Sequence, residues 1–178
     1  MPPMRAVKPP ATDPAALRRA MAQFATGVAV ITSRDFLGRP VGATVNALSS
    51  LSLDPPLVLV CLSQTSRTLE ALRQHGGFAV NVLCDDQREL AELFAQPGSA
   101  GDWPDAELGA PEVPHIDDAL AVVECGVHEI VNGGDHDIVL GAVRETAVAD
   151  DREPLLFHGG SFKQFVGALR CREPAHAS

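Results

Sequence analysis

An antiparallel β-barrel with short helices packed on its outside is the architecture this sequence predicts. Three observations carry that prediction. Apolar and β-branched runs recur along the chain, most of them joined by turn residues of the hairpin kind. Only three segments place apolar residues at helical spacing, and each is short. No strand-like run is followed by a Walker A sequence or by G-x-G-x-x-G, so the signatures of P-loop and Rossmann folds are missing.

Asp13-Pro14 opens the first element, because Asp caps a helix well and Pro suits its first turn. Ala16, Leu17, Ala20, Met21 and Phe24 follow at helical spacing and predict a helix over 14–25, ended by Gly27. Val28 to Thr32 is a strand, Ser33 to Pro40 holds turn residues, and Val41 to Asn46 is extended again, which makes a hairpin. Asp54-Pro55-Pro56 cannot sit in a central strand, so a new strand starts at Leu57 and runs to Leu62. Thr65 or Ser66 caps a short helix carrying Leu69 and Leu72 to about Gln74, where Gly76-Gly77 breaks it. Phe78 to Leu83 is another strand. Asp85-Asp86 is expected to cap a helix whose apolar face is Leu90, Leu93 and Phe94. A loop-like acidic stretch, 98–118, precedes a long strand over Ala119 to Ile130. Asn132-Gly133-Gly134 turns the chain, Ile138 to Val148 pairs back, and Pro154 to Phe157 begins a last strand.

The 178 residues suit one domain with its own core. We expect a Pro-rich flexible arm over 1–12, the ordered domain over 13–167 and a flexible tail over 168–178. With 14 basic against 23 acidic side chains the net charge is -9, and no local basic patch offsets it. Such a chain repels phosphate backbones and anionic lipid, which argues against nucleic-acid and membrane-surface partners. Apolar runs such as Leu57 to Leu62 fall far short of the roughly 20 residues a membrane span needs. The first dozen residues lack the apolar stretch of a signal peptide, so a cytoplasmic protein is expected. Cysteines stand at 61, 84, 125 and 171 with no C-x-x-C pair: Cys61 and Cys125 lie in apolar runs and read as small hydrophobic thiols, and four isolated thiols do not make a disulfide framework.

Among candidate chemistries, Asp135-His136-Asp137 with His128 is too thin a donor set for a metal, and none is expected. No G-x-S-x-G elbow supports hydrolysis. Two polar segments are more informative. In residues 42–56, hydroxyl and amide side chains interleave with small apolar ones, and a continuous strand would put Thr44, Asn46 and Ser50 on one face. The plain alternative is a solvated strand face. Ser63-Gln64-Thr65-Ser66-Arg67-Thr68 joins a strand end to a helix N-terminus, where free N–H groups, hydroxyls and a guanidinium suit a phosphate.

Five segments, in order, resemble the flavin reductase-like family of short reductase components. They are Phe24 to Thr32, Gly42 to Leu62, Ser66-Arg67-Thr68, Phe78 to Leu83, and Gly134-Asp-His-Asp-Ile-Val-Leu-Gly141. The resemblance spans about residues 14 to 166. It implies a mainly β split-barrel FMN-binding fold and a homodimer with a flavin site near the subunit interface. It also implies noncovalent FMN or FAD, NADH or NADPH as hydride donor, and a partner monooxygenase that receives the reduced flavin. By the same resemblance, Thr44, Val45, Asn46 and Ala47 border the flavin ring and ribityl chain. Ser49, Ser50, Ser66, Arg67 and Thr68 become ribityl and phosphate contacts, and Cys61, Leu62 and Ser63 line the site. His136, in Gly-Asp-His, is expected to meet the nicotinamide nucleotide. Its plain alternative is a turn histidine satisfied by Asp135 or Asp137. Phe162 stands where relatives carry an aromatic residue near the reacting rings, often Tyr. The chain contains no tyrosine, so a hydroxyl there is not essential. Two rival functions of the same fold are a flavin store or sensor and an oxidase acting on its own organic substrate. A nicotinamide contact at Gly-Asp-His counts against the store.

Overall fold

The computed structural model describes residues 13–96, 103 and 113–164. The expected arm over 1–12, the tail over 168–178 and most of the acidic stretch 98–118 lie outside them. The elements are α1 (Pro14–Met21), β1 (Thr26–Gly27), β2 (Ala29–Arg34), β3 (Pro40–Val45), β4 (Leu48–Leu53), β5 (Pro56–Ser63), α2 (Arg67–His75), β6 (Gly77–Val82), α3 (Arg88–Phe94), β7 (Ala121–Asn132), β8 (His136–Val148), β9 (Leu155–His158) and β10 (Ser161–Gln164). The protein is mainly β with three short helices, as its apolar pattern predicts.

Seven strands form one antiparallel sheet in the order β3-β2-β6-β7-β8-β5-β4, and β1, β9 and β10 form a small second one. The large sheet's two edge strands, β3 and β4, are consecutive in the chain. Val45 and Leu48 are three residues apart and therefore within roughly 11 Å of each other. A flat seven-stranded sheet would hold its edges about 29 Å apart. The sheet therefore curls until its first and last strands share one corner at Asn46-Ala47. Among the described residues no ladder joins β3 to β4, so the expected antiparallel barrel does not close and the sheet is open and curled.

That corner corrects a second expectation. Residues 42–56 are not one strand: β3 stops at Val45, and the chain crosses to the other edge before β4 begins at Leu48. Thr44 and Ser50 thus lie on opposite edge strands rather than on one face. Two strands also went unforeseen, β1 because it has two residues and β10 because its sequence is polar.

Alternation along β2 explains its unbroken apolar run. Ala29 and Ile31 enter one core with Val60, Leu62, Phe78, Val80, Val139 and, from α2, Leu69 and Leu72. Val28 and Val30 enter a second core with Leu83, Ala91, Phe94, Ile116 and Leu155, against which Phe157 and Phe162 pack. Ser66 is the N-cap of α2, its hydroxyl oxygen accepting from the Leu69 N–H at 3.4 Å, and Gly76 closes the helix in the left-handed conformation (φ 74°) that glycine adopts without strain. Asp85 and Asp86 do not cap α3: Gln87 holds the N-cap position without a side-chain bond to the helix. Asp86 accepts instead from the Arg152 guanidinium, at 2.9 and 2.7 Å.

The buried Asn81 pins the chain segment that returns to β7. Its amide donates to the Val30 carbonyl at 3.0 Å and to Thr32 Oγ1 at 3.1 Å, while its oxygen accepts from the Ile116 N–H at 2.9 Å. Ile116 is buried beside it and Val113 is buried near Gly77, so this end of the acidic stretch is packed into the domain.

Candidate functional site

The corner between the two edges of the sheet opens into a cleft of about 440 Å³. One wall is the end of β3 and the corner: Gly42, Ala43, Thr44, Val45, Asn46 and Ala47. The floor is the end of β5, Cys61, Leu62 and Ser63. A polar rim follows where β5 passes into α2, at Thr65, Ser66, Arg67 and Thr68. His136 stands at the start of β8, directly across the ladder from Ser63, and Phe94, Ala95 and Gln96 enter from the end of α3.

The donor set along the rim is specific in its geometry. The first N–H groups of α2 lack partners within the helix, as at any helix start. The Ser66 oxygen accepts from Leu69 N–H, so its hydroxyl proton remains available to a ligand. Ser63 and Thr65 share a 3.0 Å hydroxyl contact. Arg67 is exposed and has no carboxylate partner among the described residues. Together these groups offer N–H, O–H and guanidinium donors to an anion. Thr44 is committed differently, because its hydroxyl donates to the Ala91 carbonyl at 2.7 Å, leaving only its lone pairs toward the cleft.

His136 is half exposed, and its Nδ1 lies 2.8 Å from Asp135 Oδ1. The hydrogen bond from His136, with its charge, holds the Asp135 carboxyl below the ordinary range. That contact leaves Nε2 as the ring nitrogen free to meet a ligand. Asp137 is buried, and its carboxylate accepts from Arg73 and from Gln64 Nε2, the latter at 2.9 Å, rather than from His136. Among the described residues no cluster of three or more His, Cys, Asp or Glu groups is placed to hold a metal.

The cleft thus brings together Thr44, Val45, Asn46, Ala47, Cys61, Leu62, Ser63, Ser66, Arg67, Thr68 and His136. Three expected site residues lie outside it. Ser49 borders an adjoining apolar depression of about 590 Å³, which shares Val45, Asn46, Ala47 and Cys61 with the cleft. Ser50 is exposed on β4, displaced by the turn of the chain at Asn46-Ala47. Phe162 sits on the β9–β10 hairpin with its ring 5.4 Å from Phe157, and the Arg88 guanidinium lies 5.9 Å from its centre. The hairpin packs it on the second core. Thr65 and Gly42 belong to segments whose polarity and small residues already marked them. Phe94, Ala95 and Gln96 carried no such mark, since only the docking of α3 on β3 brings them in.

Residues 21–165 match the flavin reductase like domain, and the chain belongs to that family. It is 44% identical over 135 residues to a probable flavin reductase of Rhizobium meliloti (strain 1021), covering 74% of this chain and 42% of that protein. It is 37% identical over 161 residues to the reductase subunit HsaB of a flavin-dependent monooxygenase from Rhodococcus jostii (strain RHA1), covering 88% of this chain and 80% of that one. The chain thus spans less than half the length of the first of these relatives and four fifths of the second. The structure of Streptomyces globisporus NADH:FAD oxidoreductase SgcE6 in complex with NAD and FAD fragments superposes with a TM-score of 0.75 at 38% identity, covering 86% of this chain and 93% of that one.

Proposed function

We propose that the protein is an NAD(P)H:flavin oxidoreductase that reduces FMN or FAD and passes the reduced flavin to a partner monooxygenase. One observation carries this reading: the donor-rich rim of Ser63 to Thr68 meets His136 at the β5–β8 ladder, and both line one cleft with the small-residue corner 44–47. A phosphorylated cofactor and a nicotinamide nucleotide each find a matching side of one cleft. Relatives named as a flavin-dependent monooxygenase reductase and as an NADH:FAD oxidoreductase support the same assignment.

The residues fit such a cofactor by their chemistry. Ser66, Thr68 and Arg67, with the first N–H groups of α2, hold the phosphate. Asn46 and Ala47, placed beyond the last β3 pair, border the ring, and Cys61 and Leu62 form the floor beneath it. His136 Nε2 meets the nicotinamide nucleotide, with Asp135 fixing the imidazole's orientation. When bound, the flavin supplies the electron-accepting ring that takes a hydride from reduced nicotinamide. The protein's own part is to align the two ligands and keep water from between them. Binding is noncovalent and moderate, so that reduced flavin leaves after each turnover.

The curled sheet is read as the split barrel of this family. A homodimer is the expected assembly: α1 has no buried residue, Leu17 is exposed, and the exposed Met21 and Phe24 line the apolar depression with Leu48 and Leu59. Cys61, Cys84 and Cys125 are free thiols, which suits the cytoplasm. No helix among the described residues is long and apolar enough to cross a membrane.

The test is NADH or NADPH oxidation followed by absorbance, with FMN, with FAD and with neither. Many turnovers that require added flavin are expected. Saturable flavin binding without turnover on either nucleotide overturns the reductase reading in favour of a flavin store. Reoxidation that needs an organic substrate and is indifferent to free flavin favours the oxidase.

A further inference from the structure

We propose that Asp137, acting through Gln64 and Arg73, is the positioning residue that locks His136 and the Ser63–Thr68 rim into one frame. The proposal rests on the reductase reading above and assigns how its two ligand sides are coupled. Gln64 brackets His136 on both flanks. Its backbone N–H donates to the Asp135 carbonyl at 3.1 Å, and its side-chain amide donates to Asp137 Oδ1 at 2.9 Å. The histidine between those two anchor points lies opposite Ser63 in the β5–β8 register. The same Asp137 carboxylate takes a charged hydrogen bond from Arg73, in the last turn of α2.

The burial of Asp137 gives this arrangement its stiffness. Its side chain is 5% exposed, whereas that of Arg73 is 47% exposed. A buried carboxylate without its partners is costly, so Gln64 and Arg73 cannot swing away independently. Arg73 lies on the helix whose first turn supplies Arg67 and Thr68 to the rim. One buried charge therefore fixes the phosphate-side helix and the strand start bearing His136. Asp137 touches neither ligand; it acts on both through its neighbours.

The test uses the full chain and four variants: Asp137→Asn, Gln64→Ala, Arg73→Met and Arg73→Lys. Flavin Kd is read by fluorescence titration, NADH KM and kcat by steady-state kinetics, and Tm by thermal unfolding. For Asp137→Asn we expect flavin Kd and NADH KM to rise together by roughly tenfold while kcat stays within about twofold. Arg73→Lys keeps the charge and retains more of both affinities than Arg73→Met. Adding Arg73→Met to Asp137→Asn costs little more, because the two act as one unit. If Asp137→Asn does not fold, Gln64→Ala carries the test, since it leaves the buried charge paired with Arg73. It must raise both constants as well. Folded variants that lose only Tm, or that move one constant and not the other, overturn the proposal while wild-type activity keeps the reductase reading intact. A wild type that neither binds flavin nor oxidises NADH removes that reading, and the proposal with it.

Discussion

Thr44 donates its hydroxyl proton to the carbonyl of Ala91 at 2.7 Å, tying the wall of the cleft on β3 to helix α3. Two rows nearer the strand start, Gly42 lies under Phe94 so closely that a Cβ there would fall 2.8 Å from the ring. The two contacts set the position of the α3 end that brings Phe94 and Gln96 to the cleft. Thr44→Val keeps the shape and removes the donor. Ala91 O still accepts from the Ala95 N–H, so the loss is a single hydrogen bond, about 1 kcal/mol or roughly 2–4 °C in Tm. Thr44→Ser is expected to restore the Tm. If Thr44→Val leaves Tm unchanged but weakens flavin binding, the hydroxyl serves the ligand rather than the helix.

Gly141, the last residue of the Gly-Asp-His segment, owes its identity to packing. A Cβ at 141 would lie 2.5 Å from Phe78 Cζ and 3.0 Å from Cys125 Cβ, in a fully closed part of the first core. Gly141→Ala forces the ring to shift and should cost about 1–3 kcal/mol. Denaturant titration would show this as a lower midpoint with an unchanged slope. Adding Phe78→Leu makes room for the methyl, and the double variant is predicted to lose less than the two single losses combined. Strict additivity would mean that the strain is taken up elsewhere.

Arg67 can be examined without turnover. If its guanidinium meets the cofactor phosphate, Arg67→Ala raises the Kd for FMN roughly tenfold or more and leaves the Kd for riboflavin, which has no phosphate, unchanged. Equal weakening of both ligands would place Arg67 against the ring or ribityl chain instead. Raising the salt concentration should narrow the FMN difference, because the exposed guanidinium is screened.

What could be read from the residues alone was local. Most of the strand runs, a cap on α2 (Ser66 of the two candidates) and the polarity of Ser63 to Thr68 depend on neighbours in the chain, and these stand in the structure as expected. The corner at Asn46-Ala47 was not legible, because a strand that changes edge and one that continues carry the same alternating pattern. The misplacement of Ser50 follows from that ambiguity. Asp86 looks like a helix cap in sequence, yet Arg152, 66 residues away, claims its carboxylate. In sequence Asp137 is as near a partner for His136 as Asp135 is, but alternation along β8 turns it into the interior toward Arg73. Charges that meet across long stretches of chain leave no spacing to recognise.

The thiols give a prediction whose sign depends on burial. Burial pushes the Cys125 thiol up to about 12 from an ordinary 9.0, and Cys84 is raised for the same reason. At about pH 8 neither forms appreciable thiolate in the folded protein, whereas Cys61 borders the open cleft. In a Cys171→Ala background, an alkylating reagent should therefore label Cys61 alone until denaturant is added, and bound flavin should slow that labelling. The same shift has a consequence for stability. The folded chain holds the Cys125 proton more tightly than the unfolded chain, so the contribution is fully present below pH 9.0 and is lost as the pH rises toward about 12. The loss is at most about 1.4 kcal/mol per pH unit. Urea unfolding of wild type and Cys125→Ala across that window should show wild type falling more steeply. Parallel curves would mean that the thiol ionises without unfolding the strand pair around it, and rapid native labelling of Cys125 would show that β7 opens far more readily than its burial implies.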